Sequence, residues 1–181
     1  LSKIKRKEYN LFMKTLTLFS RIFISCSLQA QLKIKLDEQI DTIMPKVVEW
    51  RHDIHKYPEL GNREFRTSKK IEEHLVSLGI EVETKIAYTG LVGLIRGGKP
   101  GPTIALRADM DALPVEEKTG LPYASKVRTS YLGNDVGVMH ACGHDAHVAI
   151  LMGVAEFLAK NKSDIKGNII LIFQPAEEGP P

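Results

Sequence analysis

Two short apolar runs, with a longer patterned stretch between them, limit what this chain of 181 residues can fold into. Residues 103–106 and 169–173 form the runs, which have the length and the aliphatic content of central strands covered on both faces. Residues 146–160 repeat apolar side chains at helical spacing on two sides, which predicts a largely buried helix. Such alternation of helix and strand is typical of an α/β domain. Two further strands are predicted at 81–87 and 91–96, and a turn is predicted at 97–102.

Two more helices are predicted towards the N-terminus. Apolar side chains recur every three or four positions over residues 36–59, where Pro45 is expected to kink or restart the helix and Pro58 to end it. A second helix is predicted over 66–78, because Gly79 fits a left-handed C-terminal cap. These helices and the strands together suit a single domain of ordinary size.

The charge is distributed unevenly along the chain. Residues 1–35 carry eight Lys or Arg and a single acid, a net charge of +7, whereas residues 36–181 carry seventeen basic and twenty-one acidic side chains, a net charge of −4. The overall charge of +3 therefore belongs to the N-terminal segment, and no nucleic-acid partner is expected for the body of the chain. No run reaches the ~18 apolar residues that a membrane-spanning helix needs.

The N-terminal segment has the pattern of an export signal. After Met13 a lysine precedes a short apolar stretch, which ends near Ala30, a small residue of the kind found at signal-peptide cleavage sites. The chain is therefore divided into a leader, 1–30, with a signal peptide from Met13, and a body, 31–181. The expected location is periplasmic or extracellular. Lipid anchoring at Cys26, and a cytoplasmic protein with a disordered basic N-terminus, are the alternatives.

A dense polar cluster follows in the body of the chain. Three of the six histidines and the only cysteine of the body lie within positions 140–147. Imidazole and thiolate are ligands of borderline-soft metals such as zinc. Cys142 and His144 are two positions apart, so in extended backbone both would face one ion, beside a helix N-terminus that favours a thiolate. The alternative is a polar loop with a buried thiol and helix-capping histidines.

Carboxylates follow both apolar runs. Glu177 and Glu178 come after the second run, and Asp109 and Asp111 come after the first. Since ligands of α/β proteins bind at the carboxyl ends of strands, one Glu can bind a metal while the other accepts a proton from water. The two aspartates share a face and can orient a ligand histidine or bind metal themselves. A solvated Glu pair, and a turn in which Arg107 pairs with an aspartate, are the alternatives.

Four ordered motifs resemble those of the metallopeptidase family of aminoacylases, carboxypeptidases and auxin-conjugate amidohydrolases. The motifs are R-H-x-I-H-x-x-P-E-L-G from Arg51, R-A-D-M-D-A-L-P from Arg107, M-H-A-C-G-H-D-A-H from Met139 and Q-P-A-E-E-G from Gln174. The similarity is greatest to bacterial N-acyl-amino-acid amidohydrolases and hippurate hydrolases. It implies a zinc-peptidase-like catalytic domain, with a central, mostly parallel or mixed sheet between helices. The body, 31–181, would be its N-terminal part, without the family's later part and small inserted domain.

The resemblance also implies residue roles. It implies three metal ligands, Cys142, His144 and Glu178. Glu177 would be the general base, and Asp111 would be the catalytic aspartate that orients the metal site. Asp109 stands where other members carry a ligand histidine, so its role stays open. No role is assigned to His140 or His147.

The implied reaction is hydrolysis of the amide bond of an N-acyl amino acid or small peptide by a metal-activated water. The implied cofactor is a divalent metal, zinc or manganese, as one ion or two. Glu177 would take the proton of the water and deliver it to the leaving amine. Homo-oligomerisation and the activity of the 181-residue chain by itself are left open. A non-catalytic metal-binding or scaffold module is the alternative function.

Overall fold

The computed structural model describes the backbone of residues 3–179 and the side chains of 33–179, with those of 13, 14, 17 and 31. The leader predicted over 1–30, including Cys26 and Ala30, therefore lies largely outside the described side chains. The chain divides into two compact units, 1–42 and 43–181. No helix among the described residues combines the length and apolarity that crossing a membrane requires.

Three α-helices and one short 3₁₀ turn are described: α1 (Lys3–Lys56), α2 (Phe65–Ser77), α3 (His144–Lys160) and the turn Lys162–Asp164. The predicted end of α1 before Pro58 is confirmed, but α1 continues through Pro45, so the predicted restart is wrong. Packing on both sides of the proline accounts for this. A Cβ added at Gly153 of α3 would meet Val47 Cγ2 at 2.6 Å and Ile43 Cγ2 at 3.5 Å, so both side chains lie directly on α3.

Helix α2 ends, as predicted, with a left-handed cap at Gly79. Gly79 has a φ of +70°, and its N–H donates to the carbonyl of Val76 at 2.9 Å. The N–H of Ile80 donates to the carbonyl of Leu75 at 3.1 Å. This pair of bonds is a Schellman motif, which turns the chain sharply from α2 into the first strand.

Six strands are described: β1 (Glu81–Ile86), β2 (Gly90–Arg96), β3 (Lys99–Asp109), β4 (Arg128–Tyr131), β5 (Asn134–Gly137) and β6 (Lys166–Gln174). Four of them form a sheet in the order β1-β2-β6-β3, in which only β3 and β6 are parallel. The mixed α/β fold is therefore confirmed. The hairpin of β4 and β5 was not predicted; it turns at Leu132 and Gly133, both with positive φ.

Two expectations about the apolar runs are corrected. Among the described strands, β3 lies at the edge of the sheet, and Ile104 in its apolar run is 52% exposed. The strand begins at Lys99, so it takes in most of the predicted turn. The run in β6 is interior, but its residues alternate between buried and half-buried, so only one face is fully covered. A short apolar run marks a strand without fixing its place in the sheet.

The main core lies on one face of the sheet, against the three helices. It includes buried residues of α1, α2, α3, β2 and β6, among them Ile54, Ile71, Leu75, Leu91, Met152, Leu171 and Phe173. The predicted burial of α3 holds for one side only, because Ile150 on the second side is 55% exposed. The N-terminus of α3 lies beside the carboxyl end of β3, where His144 contacts Asp111 and His147 contacts Asp109.

Candidate metal centre

The parallel pairing of β3 and β6 brings the two acidic clusters together. Asp109, the last residue of β3, pairs in register with Gln174, the last residue of β6, and the Met110 N–H donates to the Gln174 carbonyl at 2.9 Å. Asp111 and the Glu177–Glu178 pair therefore leave the sheet at the same end, the carboxyl end of the two parallel strands. Helix α3 begins there with His144, so the three polar clusters of the sequence meet at one place.

Three donor atoms converge at this end of the sheet. One donor from each of Cys142, His144 and Glu178 lies within 4.8 Å of the other two. These are the three ligands that the family resemblance implies, and together they offer sulfur, nitrogen and oxygen to one ion.

His144 is held in the orientation that a ligand needs. Its ring is buried, and Nδ1 lies 2.9 Å from the backbone carbonyl oxygen of Asp111. Since a carbonyl can only accept, Nδ1 carries a proton, and Nε2 is the nitrogen left free to face the donor set. Nε2 lies 3.8 Å from Oε1 of Glu178 and 3.8 Å from Oε2 of Glu177.

Cys142 differs from both sequence-based expectations. The thiol is exposed rather than buried. The hydrogen bond to Glu178 and the charge of that carboxylate raise the pKa of Cys142, which disfavours the expected thiolate. A divalent cation between the thiol and the carboxylate would reverse this balance, because a coordinated thiol loses its proton. The acidic donor set therefore fits such a cation.

Asp111 contacts His144 and Glu178, two of the three residues of the donor set. Asp111 is 1% exposed, and its Oδ2 accepts the N–H of Glu178 at 2.9 Å. Its backbone carbonyl accepts from His144, as described above. Oδ1 has no hydrogen-bond partner among the described residues and lies 3.3 Å from Nδ1 of His144. Asp111 therefore contacts both His144 and the backbone of Glu178.

Glu177 lies beside the donor set without being part of it. Its side chain is 39% exposed, and Oε2 is 3.8 Å from the free nitrogen of His144. A general base needs a carboxylate near the ion, free to accept a proton. Glu177 is close to the donor set and partly open to solvent, as the hypothesis of a general base requires.

Asp109 and His147, whose roles the sequence leaves open, contact each other. Oδ1 of Asp109 lies 2.6 Å from Nδ1 of His147, and Oδ2 lies 2.9 Å from Nη1 of Arg107. Burial tends to raise the pKa of Asp109, but the His147 hydrogen bond and the neighbouring positive charges lower it overall. Asp109, His144 and His147 form a second set of donors within 4.8 Å. His144 belongs to both sets, so the two sets share one residue.

A buried polar network behind the centre was missed by sequence reasoning. Asp145, which follows His144, is 1% exposed, and its Oδ2 lies 2.9 Å from Nδ1 of His55 and 3.2 Å from Nε of Arg51. Nε2 of His55 lies 3.2 Å from Oε1 of Glu117. The first of the four motifs therefore anchors the start of α3. The signal in the sequence was the spacing of Arg51 and His55, which are four positions apart and therefore lie on one face of α1.

His140 is buried without a hydrogen-bond partner for either ring nitrogen among the described residues. Burial lowers its pKa to about 4. Its ring centroid lies 6.5 Å from that of His55. His140 is thus a neutral core histidine next to the donor loop.

Comparisons with known proteins show sequence similarity to one family and to several curated proteins. Residues 105–181 match the family described as peptidase family M20/M25/M40. The chain is 54% identical over 145 residues to thermostable carboxypeptidase 1 of Saccharolobus solfataricus, covering 80% of this chain and 35% of that protein. It is 48% identical over 139 residues to N-acetyl-L-cysteine deacetylase of Bacillus subtilis, covering 77% of this chain and 32% of that protein.

A plant enzyme and two solved structures extend the similarity. IAA-amino acid hydrolase ILR1-like 2 of Arabidopsis thaliana is 44% identical, covering 83% of this chain and 33% of that protein. The Bacillus subtilis YXEP protein, described as a dinuclear metal binding peptidase from the M20 family, has a TM-score of 0.68 at 42% identity, covering 76% and 36% of the two chains. A putative aminohydrolase from methicillin-resistant Staphylococcus aureus has a TM-score of 0.73 at 44% identity, covering 80% and 35%. The chain spans about a third of the length of the curated relatives named here.

Proposed function

Because residues 105–181 match peptidase family M20/M25/M40, we propose that the whole protein is a metal-dependent amidohydrolase of that family. Its reaction is the hydrolysis of the amide bond of N-acyl amino acids or small peptides. The observation that carries the proposal is the convergence of Cys142, His144 and Glu178, with Glu177 beside them.

The cofactor in this proposal is zinc or manganese, as one ion or two. A thiolate and an imidazole favour zinc, whereas carboxylate oxygens also suit manganese. A divalent ion held by Cys142, His144 and Glu178 would supply Lewis-acid polarisation of the acyl carbonyl and would lower the pKa of a water towards ~7. The dinuclear description of the Bacillus subtilis YXEP protein supports two ions as one form of the proposal.

The chain's own residues supply the remaining steps. Glu177 accepts a proton from the attacking water on a carboxylate oxygen and then delivers it to the leaving amine. Asp111 holds the Glu178 N–H and fixes the His144 proton on Nδ1, so His144 presents Nε2 to the centre. The buried network around Asp145 keeps the start of α3 in place.

The substrate class follows from what the relatives' names have in common. They include a carboxypeptidase, an N-acetyl-L-cysteine deacetylase and an IAA-amino acid hydrolase. Each of these names describes an amino acid released from an amide bond. We therefore propose an amide whose nitrogen belongs to an amino acid, with the acyl group unspecified.

Glu177→Gln in the whole protein tests the function. Turnover of N-acetyl amino acids should stop on chelation and return with zinc or manganese. Glu177→Gln should lower kcat by about 10²–10⁴-fold because the base is lost. The exposed Glu83→Gln on β1 serves as the matched control and should keep full activity. Unchanged turnover in Glu177→Gln contradicts the mechanism, and stoichiometric metal binding without any turnover favours the scaffold alternative.

We also propose that the protein is exported. The support is the basic residue after Met13, the apolar stretch and the small Ala30, together with the net charge of +7 over residues 1–35. N-terminal sequencing of the protein recovered outside the cytoplasm should begin at Gln31. Recovery of uncleaved protein in the cytoplasm contradicts this proposal.

A further inference from the structure

The loop that carries Glu177 and Glu178 is held on both sides by buried carboxylates. The N–H of Ala176 donates to Oε1 of Glu64 at 2.9 Å, across 112 positions of sequence. The N–H of Glu178 donates to Oδ2 of Asp111 at 2.9 Å. Glu64 is 0% exposed and Asp111 is 1% exposed. The backbone on each side of Glu177 therefore has its own fixed acceptor.

Glu64 uses both of its oxygens in this role. It stands directly before α2, and its Oε2 accepts the hydroxyl of Thr89 at 2.5 Å. Burial raises the pKa of Glu64, and no cationic side chain among the described residues pairs with it. A fully buried carboxyl is costly unless its oxygens are hydrogen-bonded. Glu64 thus links the start of α2, the start of β2 and the loop after β6.

The loop has a shape that needs such a support. Ala176 has a φ of +50°, in the left-handed region that an alanine adopts only at a cost. Its neighbours are packed without spare room: a Cβ at Gly61 would lie 2.9 Å from the Gly179 oxygen, and one at Gly90 would lie 2.7 Å from Pro175 Cδ. The loop therefore rests directly on the backbone of two other segments, and Glu64 is the side chain that holds its left-handed turn.

We propose that Glu64 is a positioning residue, which fixes the Ala176 N–H and so aims Glu177 at the donor set. This inference rests on the proposed function, because it assigns a task to the proposed base. The Ala176 N–H needs a hydrogen-bond acceptor at the correct distance, and that acceptor need not be charged. Glutamine at position 64 would keep that acceptor and could donate to the Thr89 hydroxyl, whereas aspartate would keep the charge but fall one methylene short.

Hydrogen exchange of the Ala176 amide tests the contact without any need for activity. In Glu64→Asp the amide should exchange about tenfold faster, as expected for loss of one hydrogen bond. In Glu64→Gln its protection should match that of the wild type. The opposite pattern, with Asp protecting and Gln failing, would show that charge matters rather than reach and would overturn the proposal.

Kinetics on the whole protein test the positioning. Glu64→Asp and Glu64→Ala should lower kcat by about tenfold or more with KM nearly unchanged, and Glu64→Gln should restore kcat. The matched control is Glu59→Ala. The Glu59 carboxylate accepts the N–H groups of Arg66 and Thr67 at 2.9 and 2.8 Å, so its hydrogen bonds among the described residues cap α2. Its removal should lower stability while leaving kcat unchanged.

The two levels of failure are distinguishable. If Glu177→Gln and chelation leave turnover intact, the proposed function fails, whatever the result at position 64. If Glu177→Gln abolishes turnover while Glu64→Asp keeps both wild-type kcat and Ala176 protection, only the present inference fails. If Glu59→Ala lowers kcat as much as Glu64→Asp, the effect is general destabilisation and the positioning role is refuted.

Discussion

Cys142 is a proposed ligand whose loss should separate metal affinity from stability. Because its thiol is exposed, Cys142→Ser should change the free energy of unfolding of the metal-free chain by no more than ~0.5 kcal/mol. Zinc affinity should fall by more than about 100-fold, since loss of an outer partner alone costs about 10–100-fold. Isothermal titration with zinc and urea unfolding without metal measure the two quantities. Equal zinc affinity in both proteins would remove Cys142 from the ligand set.

His74 gives a pH dependence with a defined sign. Burial lowers its pKa below the usual 6.5, and its Nε2 lies 3.1 Å from the carbonyl oxygen of Met152, beside the ring of Trp50. The unfolded chain therefore binds a proton more readily than the folded chain. The contribution of His74 to stability is complete above pH 6.5 and declines as the pH falls from there through its lowered pKa.

His74→Gln should reduce this decline, since glutamine can still donate to Met152 but does not titrate. The measurement is the free energy of unfolding of both proteins from neutral pH to pH 5. The neutral His140 acts with the same sign, so the difference between the two curves is the relevant quantity. Parallel curves over this range would contradict the assignment.

At the scale of elements, the Schellman cap of α2 can be tested without steric interference. A Cβ at Gly79 would meet nothing within 4 Å, so the cost of Gly79→Ala comes from its φ of +70° alone. We expect a loss of about 1–2 kcal/mol in the free energy of unfolding. Ser77→Ala, on the exposed last turn of α2, should change it by less than ~0.5 kcal/mol. Equal values by urea unfolding would contradict the cap.

The elements that the sequence predicts well have local signals. Pro58 and Gly79 act on their own neighbours, so the ends of α1 and α2 could be located from them. The edge position of β3 depends on which strands pair beside it, which no residue of the strand encodes. The hairpin of β4 and β5 was missed because its strands are short and its turn is Leu132–Gly133, which is not among the usual hairpin dipeptides.

At the scale of the whole molecule, the same distinction explains the site. Cys142 and His144 are near neighbours in sequence, and the acidic pairs follow apolar runs, so their convergence could be anticipated from the rule for strand ends. Glu64 carries no motif, and its partner Ala176 is 112 positions away. Only the folded chain shows that contact, because it depends on the packing of α2 against the sheet.

The leader can be tested through stability as well as through export. Every buried hydrophobic side chain among the described residues lies at or after Ile43. A variant that lacks residues 1–30 loses six basic side chains and one acid, so its net charge falls from +3 to −2. Its Tm should nevertheless stay within about 2 °C of that of the intact chain.

A variant that lacks residues 1–50 is the matched comparison. It also removes Ile43, which is 4% exposed, Val47, which lies on Gly153, and Trp50, which packs on the main core. Loss of one buried and two half-buried side chains should lower the Tm by more than about 5 °C, since a fully buried apolar side chain contributes roughly 1.5–3 kcal/mol. Thermal melts of the three proteins decide the point. If the shorter deletion lowers the Tm as much as the longer one, residues 1–30 are part of the folded unit rather than a removable leader.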